Sequence, residues 1–405
     1  MATIHVPVGF LPLLDSALPV LAREKGFAEE EGLELQLIRE TSWANIRDRI
    51  AVGHFDAAQM LAPMPIASSL GLTPLDVPII GPMVLGLGGN AITVSAALWD
   101  RMAEEGAPGD LAAGPAGAAL ARVVAASDRK LKFGVVHPTS SHNYELRYWM
   151  AASGIRPDTD VEIVVIAPQR LPEAIASGQI DGYCVGEPWN SVGVDTAGAR
   201  IATVKASIWN ASPDKVIGMR AQWADEHPAT VAALIRALHA TALWCAQLDN
   251  QAETARILAG PSYLDIPAPL VERALSGRLE TGNGPQHVAG FFVPYAQAAN
   301  FPWRSHALWC YAQMVRWGQV EHTAKHAAAA AASFRPDLYR AALAGRGVAI
   351  PASDYRPLGV LAEPAAIEAV GGALEIGPDT FFDGEVFDPA DLDAYIDRQR
   401  TLVKS

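Results

Sequence analysis

Four side chains are of types that suit a small anion, and each stands close to the start or end of a strand-like segment. Trp43 lies in the first turn of a predicted helix, where free backbone N–H groups attract negative charge. Asn90 follows a Gly-rich stretch, and His142 begins a helix after a Ser/Thr-rich turn. Lys215 precedes the apolar segment VIGM. An indole, an amide, an imidazole and an ammonium group could together bind a monovalent anion.

Each of these signals also has an ordinary explanation. Thr41 or Ser42 can cap a helix whose Trp simply packs in the core. The glycines before Asn90 fit neither G-x-G-x-x-G nor Walker spacing, so a flexible crossover explains them as well as a ligand does. His137 could play the part of His142, and local spacing does not choose between them. Most lysines are solvated surface charges.

Catalytic and metal chemistry find little support in the sequence. Glu187, in VGEPWN, could serve as a general base, but no nucleophile or second carboxylate lies at a useful spacing, which favours a structural role. Cys184, Cys245 and Cys310 are odd in number and lack C-x-x-C or Cys/His ligand spacing. We therefore predict a protein that is not an enzyme and that has no disulfide framework, metal site or cofactor.

Composition indicates a globular chain. Its 405 residues are 50% apolar and carry a formal charge of −13, which disfavours direct nucleic-acid binding because no run of Lys and Arg is present. No uninterrupted apolar stretch reaches the roughly 18 residues of a membrane span. The sequence starts directly with a strand pattern and shows no export signal, so we expect a cytoplasmic protein without a membrane partner.

Short apolar strands alternate with amphipathic helices in the first half of the chain, the βαβ rhythm of doubly wound parallel sheets. Predicted strands cover 4–8, 33–38, 56–60, 91–95, 131–136, 161–166, 181–185 and 199–204. Predicted helices cover 14–30, 43–53, 63–71, 116–127, 142–153, 171–177, 187–195 and 229–248. The Gly/Pro-rich segment 107–117 is predicted as a surface connection, and 351–365 and 377–389 as an irregular tail.

Several blocks closely resemble, in order, the nitrate- and bicarbonate-binding proteins of cyanobacterial-type ABC transporters. They are SWANIRD, PMPIASSLG, SSHNYELRYWMAASGI, CVGEPWN, SPDKVIGMRAQW and FRPDLYRAAL, within residues 3–345. The resemblance implies an α/β, two-lobed, periplasmic-binding-protein-like fold of type II, with a doubly wound sheet in each lobe. Lobe 1 would comprise 1–92 plus 215–345, and lobe 2 would comprise 93–214. A helical C-terminal extension, 346–405, would pack on lobe 1.

The same resemblance assigns roles to the four residues. In the nitrate-binding relatives a Trp, a Gln, a His and a Lys hold the oxyanion, and their motifs fall on Trp43, Asn90, His142 and Lys215. Asn90 replaces the Gln. Because its side chain is shorter, it could contact the anion through a water molecule and alter the preference between nitrite and nitrate. The bicarbonate-binding relatives carry an acidic residue at the lysine position and use calcium, so Lys215 argues against bicarbonate and a metal. Supporting positions would be Ser42, Gly89, Ser141 and Glu187.

The resemblance further predicts a cytoplasmic nitrate/nitrite sensor that closes on its anion. Closure would release an RNA-binding antiterminator protein of the NasT type. The alternative is the nitrate-binding component of an ABC transporter. A third alternative is an enzyme, because a related fold is used in thiamine-precursor synthesis. The sequence lacks the Cys-rich iron site that such an enzyme requires.

Overall fold

The computed structural model describes residues 3–404, which fold around two five-stranded sheets. The strands are β1 (Ile4–Phe10), β2 (Leu33–Arg39), β3 (Ala57–Leu61), β4 (Ile79–Val84), β5 (Leu87–Gly88), β6 (Asn90–Val94), β7 (Leu131–Val135), β8 (Val161–Val165), β9 (Gly182–Gly186), β10 (Arg200–Val204), β11 (Lys215–Arg220), β12 (Arg278–Glu280), β13 (Pro285–His287), β14 (Phe292–Val293), β15 (Ile350–Pro351), β16 (Ala365–Ile367), β17 (Ala369–Val370) and β18 (Leu374–Ile376).

Helices cover the faces of these sheets. They are α1 (Ala17–Glu24), α2 (Phe27–Glu30), α3 (Trp43–Ala51), α4 (Pro63–Ser69), α5 (Ala96–Glu104), α6 (Ala113–Ala125), α7 (Ser141–Ala152), α8 (Leu171–Ala176), α9 (Trp189–Ala197), α10 (Lys205–Ile208), α11 (Ala221–Glu226), α12 (Pro228–Cys245), α13 (Gln251–Leu258), α14 (Ala268–Ser276), α15 (Arg304–Arg316), α16 (Ala324–Ala332), α17 (Pro336–Leu343) and α18 (Leu392–Lys404).

Both sheets are mixed, although the sequence pattern predicts parallel ones. The first sheet has the order β2-β1-β3-β11-β4, and β11 runs antiparallel to both of its neighbours. The second has the order β10-β6-β9-β7-β8, and β6 runs antiparallel to both of its neighbours. The chain enters the second sheet through β6 and returns to the first through β11. These strands run against their neighbours because they cross between sheets and do not close a βαβ unit, which would leave them parallel.

The two-lobed α/β fold predicted from the resemblance is confirmed, and every predicted strand is present. The pattern missed β4, which carries Gly81 and Pro82, residues that normally count against a strand. Its other apolar side chains are buried, and it pairs with β11 at one edge of the first sheet.

The prediction of a surface connection at 107–117 is wrong in its second half. Helix α6 begins at Ala113, and Pro115 is tolerated because it lies in the first turn. Close packing explains the glycine at position 117, since a Cβ there would stand 3.0 Å from Trp149 Nε1 on α7. The segment therefore brings two helices close together over the second sheet.

The C-terminal residues contact elements from both parts of the molecule. The Trp209 indole N–H donates to Asp379 Oδ1 at 2.7 Å, next to α10. The Tyr148 hydroxyl on α7 donates to the Asp383 carboxylate at 2.9 Å. Helix α18 packs along α15. The extension thus touches helices of the second sheet as well as the helical region that follows β11.

One helix in the described part of the chain, α12, is long and apolar enough to cross a membrane by length and composition alone. Most of it is buried against other elements, as in the core helix of a globular protein.

Candidate functional site

Trp43 opens helix α3, and the sequence explains why the helix starts there. Ser42 is the N-cap, and its hydroxyl oxygen accepts the Asn45 backbone N–H at 3.2 Å. The indole is 1% exposed, and its Nε1 has no hydrogen-bond partner among the described residues. A buried indole N–H normally finds an acceptor, so this donor suits a ligand atom.

Lys215 is the first residue of β11 and is completely buried. Its Nζ lies 5.5 Å from the centroid of the Trp43 ring, within cation–π range. It also forms ion pairs with Asp15, at 3.2 Å, and with Asp214. Burial alone would lower the pKa of the ammonium group, but these carboxylates raise it above its usual value. Lys215 therefore stays charged in the interior.

His142 lies in the first turn of α7, which Ser140 caps by accepting the Asn143 backbone N–H at 3.0 Å. Its Nε2 is 3.8 Å from Asp214 Oδ2. Burial lowers the pKa of His142 to about 3, although Asp214 opposes the shift. Neither ring nitrogen has a hydrogen-bond partner among the described residues. The imidazole is therefore neutral at neutral pH and can donate from one nitrogen.

Asn90 begins β6, and its amide is already partly engaged. Nδ2 donates to Glu145 Oε2 at 3.2 Å, while Oδ1 has no partner within residues 3–400. Asn90 Oδ1 and His142 Nε2 both lie next to Gly186. A Cβ added to Gly186 would stand 3.1 Å from Asn90 Oδ1 and 3.7 Å from His142 Nε2. The free Asn90 atom is an acceptor, which does not bind an anion directly. In this orientation Asn90 positions Glu145.

The supporting positions predicted from sequence differ in what they contact. The Ser141 hydroxyl donates to Asp214 and so joins the group around Lys215. Gly89 has a φ of 81°, and its carbonyl accepts the Glu187 N–H at 2.8 Å. Ser42 acts as the helix cap described above.

Glu187 has a local structural role at the start of α9. Its two carboxylate oxygens each accept a bond from Ser191, one from the backbone N–H and one from the hydroxyl, both at 3.2 Å. Burial raises the pKa of Glu187 to about 7. These contacts are all local to the start of α9.

Sequence reasoning missed a second buried charge pair beside the four residues. Lys205 Nζ lies 2.7 Å from Glu145 Oε1 and donates to the Pro213 carbonyl at 3.0 Å. It is also 3.8 Å from Asp214 Oδ1. The available signal was a lysine directly after the buried strand β10, because lysine is almost never fully buried unless it is paired.

Asp15 and Gln59 complete the group on the side of the first sheet. The Gln59 amide donates to Asp15, and its oxygen accepts the Leu11 backbone N–H at 2.7 Å. Asp15 interrupts the apolar run LPLLDSALPVL, which was the signal that could have identified it. We call Asp15, Trp43, Asn90, His142, Glu145, Lys205, Asp214 and Lys215 the buried charge cluster.

The structure distinguishes His142 from His137, two candidate ligand residues between which the sequence did not choose. His137 Nδ1 accepts the Thr139 backbone N–H at 3.1 Å, and burial, with Arg47 nearby, lowers the pKa of His137 to about 4. Among the described residues it contacts neither Lys215 nor Asp214, whereas His142 lies beside both. Of the two, His142 is the one placed in the buried charge cluster.

The cluster lies where the two halves of the molecule meet. The Leu14 N–H donates to the Glu187 carbonyl at 2.8 Å, and the Trp189 indole donates to the Pro12 carbonyl at 3.0 Å. Gln169 Nε2 donates to the Thr41 carbonyl at 2.8 Å. These bonds join the first-sheet side to the second and help to exclude water from the charges between them.

Within the part of the chain that the structure describes, no group of three or more His, Cys, Asp or Glu residues is arranged to hold a metal ion. The three cysteines are buried and unpaired. Burial raises the pKa of the Cys184, Cys245 and Cys310 thiols.

Comparison with known proteins gives a consistent set of relatives. Residues 3–259 match the NMT1-like family. The chain is 33% identical over 403 residues to the nitrate import ATP-binding protein NrtC of Synechocystis, a match covering 98% of this chain and 55% of that protein. It is 32% identical over 407 residues to the nitrate/nitrite binding protein NrtA of Synechococcus elongatus, covering 97% and 85%.

A solved structure supports the same relationship. The periplasmic nitrate-binding protein NrtA from Synechocystis superposes with a TM-score of 0.84 at 27% identity, and 98% of each chain is covered. The present chain spans only about half of the NrtC relative, 55% of its length.

Proposed function

The chain belongs to the NMT1-like family and, within it, to the solute-binding proteins related to NrtA, and from this premise we propose that it binds nitrate and nitrite. The observation that carries the proposal is the convergence of Trp43, His142 and Lys215 in a buried group. Two of these residues hold donors that no described residue uses.

The donor set suits a small, weakly hydrated monoanion. Lys215 supplies a charged ammonium donor, which it shares between the ligand and the carboxylates of Asp15 and Asp214. The neutral His142 ring and the Trp43 indole each supply one N–H donor. Micromolar affinity corresponds to roughly 8 kcal/mol, which a few charge-assisted bonds in a dry site can provide.

Calorimetry tests this proposal directly. The purified protein should bind nitrate and nitrite without added metal, and should bind neither sulfate nor bicarbonate with comparable affinity. Absence of heat with nitrate and nitrite, or heat with bicarbonate that depends on calcium, would contradict it.

We further propose that the protein is a cytoplasmic sensor of the NasS type. In this proposal the ligand-free form binds an RNA-binding antiterminator of the NasT type, and the anion closes the two halves and releases it. The formal charge of −13 supports such a partner, because an RNA-binding surface is basic and would be attracted to it. Contacts such as Leu14 with Glu187 and Trp189 with Pro12 would form on closure and reshape the surface nearby.

Gel filtration of the mixed proteins distinguishes the sensor from its alternative. A complex that dissociates with saturating nitrate supports sensing, and linkage requires the partner to weaken nitrate binding by the same factor. A complex indifferent to nitrate would contradict the release mechanism. Failure to bind any such partner, together with binding to a permease and ATPase pair, would favour the ABC transporter component.

A further inference from the structure

A cavity separate from the buried charge cluster lies where α7, the end of α15 and the C-terminal extension meet. Its volume is about 690 Å³, within the range of small-molecule sites. The cavity is lined by Tyr148, Ala151 and Ala152 of α7, by the loop at 154–159 and by Gln399 of α18. Nothing in the proposed nitrate chemistry uses this space.

Arg316, the last residue of α15, lines the cavity and is only 7% exposed. Its guanidinium carbon lies 4.8 Å from the centroid of the Trp317 ring and 5.7 Å from that of Tyr148. It forms no ion pair or hydrogen bond with any residue between 3 and 400. The Asp383 and Glu385 carboxylates act on this guanidinium through space, but neither lies within ion-pair distance, so a directly contacting counter-charge would stabilise the buried cation.

Two further buried polar atoms on the cavity wall also lack partners among the described residues. Trp317 Nε1 is a donor beside the guanidinium group, and Gln399 Oε1 is an acceptor. Buried polar groups are nearly always hydrogen-bonded in folded proteins. A ligand that accepts from Arg316 and Trp317 and donates to Gln399 would satisfy all three.

The charges lining the cavity further restrict the class of ligand that could bind there. Three of them have partners of opposite sign: Arg156 with Asp160 at 3.0 Å, Asp158 with Arg147 at 2.6 Å, and Glu385 with Arg398 at 2.8 Å. Asp383 favours the charged form of Arg316 through space, but neither residue forms an ion pair with a side chain of residues 3–400. Asp383 accepts the Tyr148 hydroxyl at 2.9 Å, but no cation is paired with it. One charge of each sign therefore borders the same space without a counter-ion in direct contact.

We propose that this cavity is a second ligand site that takes a free α-amino acid in its zwitterionic form. The carboxylate pairs with the planar Arg316 fork and the Trp317 N–H. The ammonium group faces Asp383 and Gln399, and the side chain lies along the apolar wall of α7. A simple carboxylate would leave Asp383 without a cation, and a dianion would be repelled by Asp383 and Glu385.

Calorimetry on the full chain, with saturating nitrate present, tests the site. The probes are L-alanine, L-leucine, L-glutamine and L-glutamate, with 4-methylpentanoate and isoamylamine as leucine analogues that lack one charge each. At least one neutral amino acid should bind saturably, and both analogues should bind at least about tenfold more weakly than leucine if leucine is that ligand. For another amino acid the matching deaminated and decarboxylated analogues replace them.

Variants separate this site from a general effect on folding. Arg316→Gln and Asp383→Asn should each weaken amino-acid binding at least about tenfold while nitrate binding is retained. Arg156→Gln is the matched control, because Arg156 lines the same cavity but is paired with Asp160; it should bind like the parent. The proposal is overturned if no amino acid of the panel binds, if the one-charge analogues bind equally well, or if both variants bind like the parent. Nitrate binding serves as the check of folding and is independent of this result.

Discussion

Lys215 Nζ lies 3.2 Å from Asp15 Oδ2, and this ion pair is buried between residues 200 positions apart in the chain. Burial raises the pKa of Asp15, although the ammonium group opposes the shift. The other neighbour of Lys215 behaves differently: burial alone would raise the pKa of Asp214, but Lys215 and Lys205 hold it well below its usual range. The two carboxylates around one lysine thus differ in how readily they take a proton.

The buried charge cluster contains more potential negative than positive charge. Lys205 and Lys215 face the carboxylates of Asp15, Glu145 and Asp214, while His142 is neutral. Burial also raises the pKa of Glu145, with Lys205 opposing. A bound monoanion adds a further negative charge, so it favours protonation of Asp15 or Glu145.

We therefore expect nitrate binding to be accompanied by proton uptake. Because the bound anion raises the carboxylate pKa further, affinity should fall as pH rises, by at most about tenfold per pH unit for one proton. Titration calorimetry in buffers of different ionisation enthalpy, at about pH 6 and about pH 8, measures the number of protons taken up.

Asp15→Asn and Glu145→Gln tell which carboxylate takes the proton, since the variant at that position should bind with a weaker pH dependence. Glu173→Gln, an exposed surface change, is the control. Affinity that is constant with pH, with no buffer-dependent heat, would contradict the linkage while leaving nitrate binding itself intact.

Lys215 provides the most direct test of the anion site. Lys215→Ala should weaken nitrate binding by about 2 to 5 kcal/mol, as expected when one member of a desolvated charge pair is removed. Lys215→Glu should abolish binding because it places like charge against the anion. Lys25, which is paired with Glu253 at the surface, gives the control Lys25→Ala. Calorimetry measures both; a Lys215→Glu protein that binds nitrate normally would contradict the assigned role.

The two histidines give a matched pair of variants. His142→Ala removes a donor next to the anion and should cost about 1.5 to 3 kcal/mol of binding, the range for hydrogen bonds to charged groups. His137→Ala removes a buried ring that bonds Thr139 instead, and should leave the nitrate dissociation constant nearly unchanged. If calorimetry shows that His137→Ala weakens nitrate binding and His142→Ala does not, His137 would be the donor to the anion.

The elements of the site were largely predictable, whereas its electrostatics were not. Trp43 and His142 follow strand ends, and Lys215 begins the antiparallel strand β11, which places it beside Leu61 at the end of β3. The structure brings the three together at the edge where an α/β sheet binds ligands. Local spacing could not show that Lys205 pairs with Glu145, because the contact joins residues 60 positions apart and depends on the packing of α10 against α7.

The topology shows the same division between local pattern and tertiary arrangement. Strand existence follows from short apolar runs, so β1, β2, β7 and β8 matched their predictions closely. The direction of β6 and β11 depends on which sheet the chain crosses to, which periodicity does not report. Asn90 shows that residue type alone does not reveal what a side chain contacts. An amide at this position suggested an anion-binding residue, but its N–H donates to Glu145.

Glu187 gives a prediction about stability that does not depend on any ligand. Its pKa is raised from 4.5 to about 7 by burial, so the folded state keeps its proton where the unfolded state has lost it. The resulting stability is fully present below about pH 4.5 and is lost as pH rises through about 7, a change of about 3 kcal/mol. Glu187→Gln, which mimics the protonated acid, should therefore gain about 3 kcal/mol relative to the parent between about pH 4.5 and about pH 8. Urea unfolding at both pH values measures this difference, and Glu173→Gln should show none; a Glu187→Gln protein that follows the parent at both pH values would mean that Glu187 is ionised in the folded state.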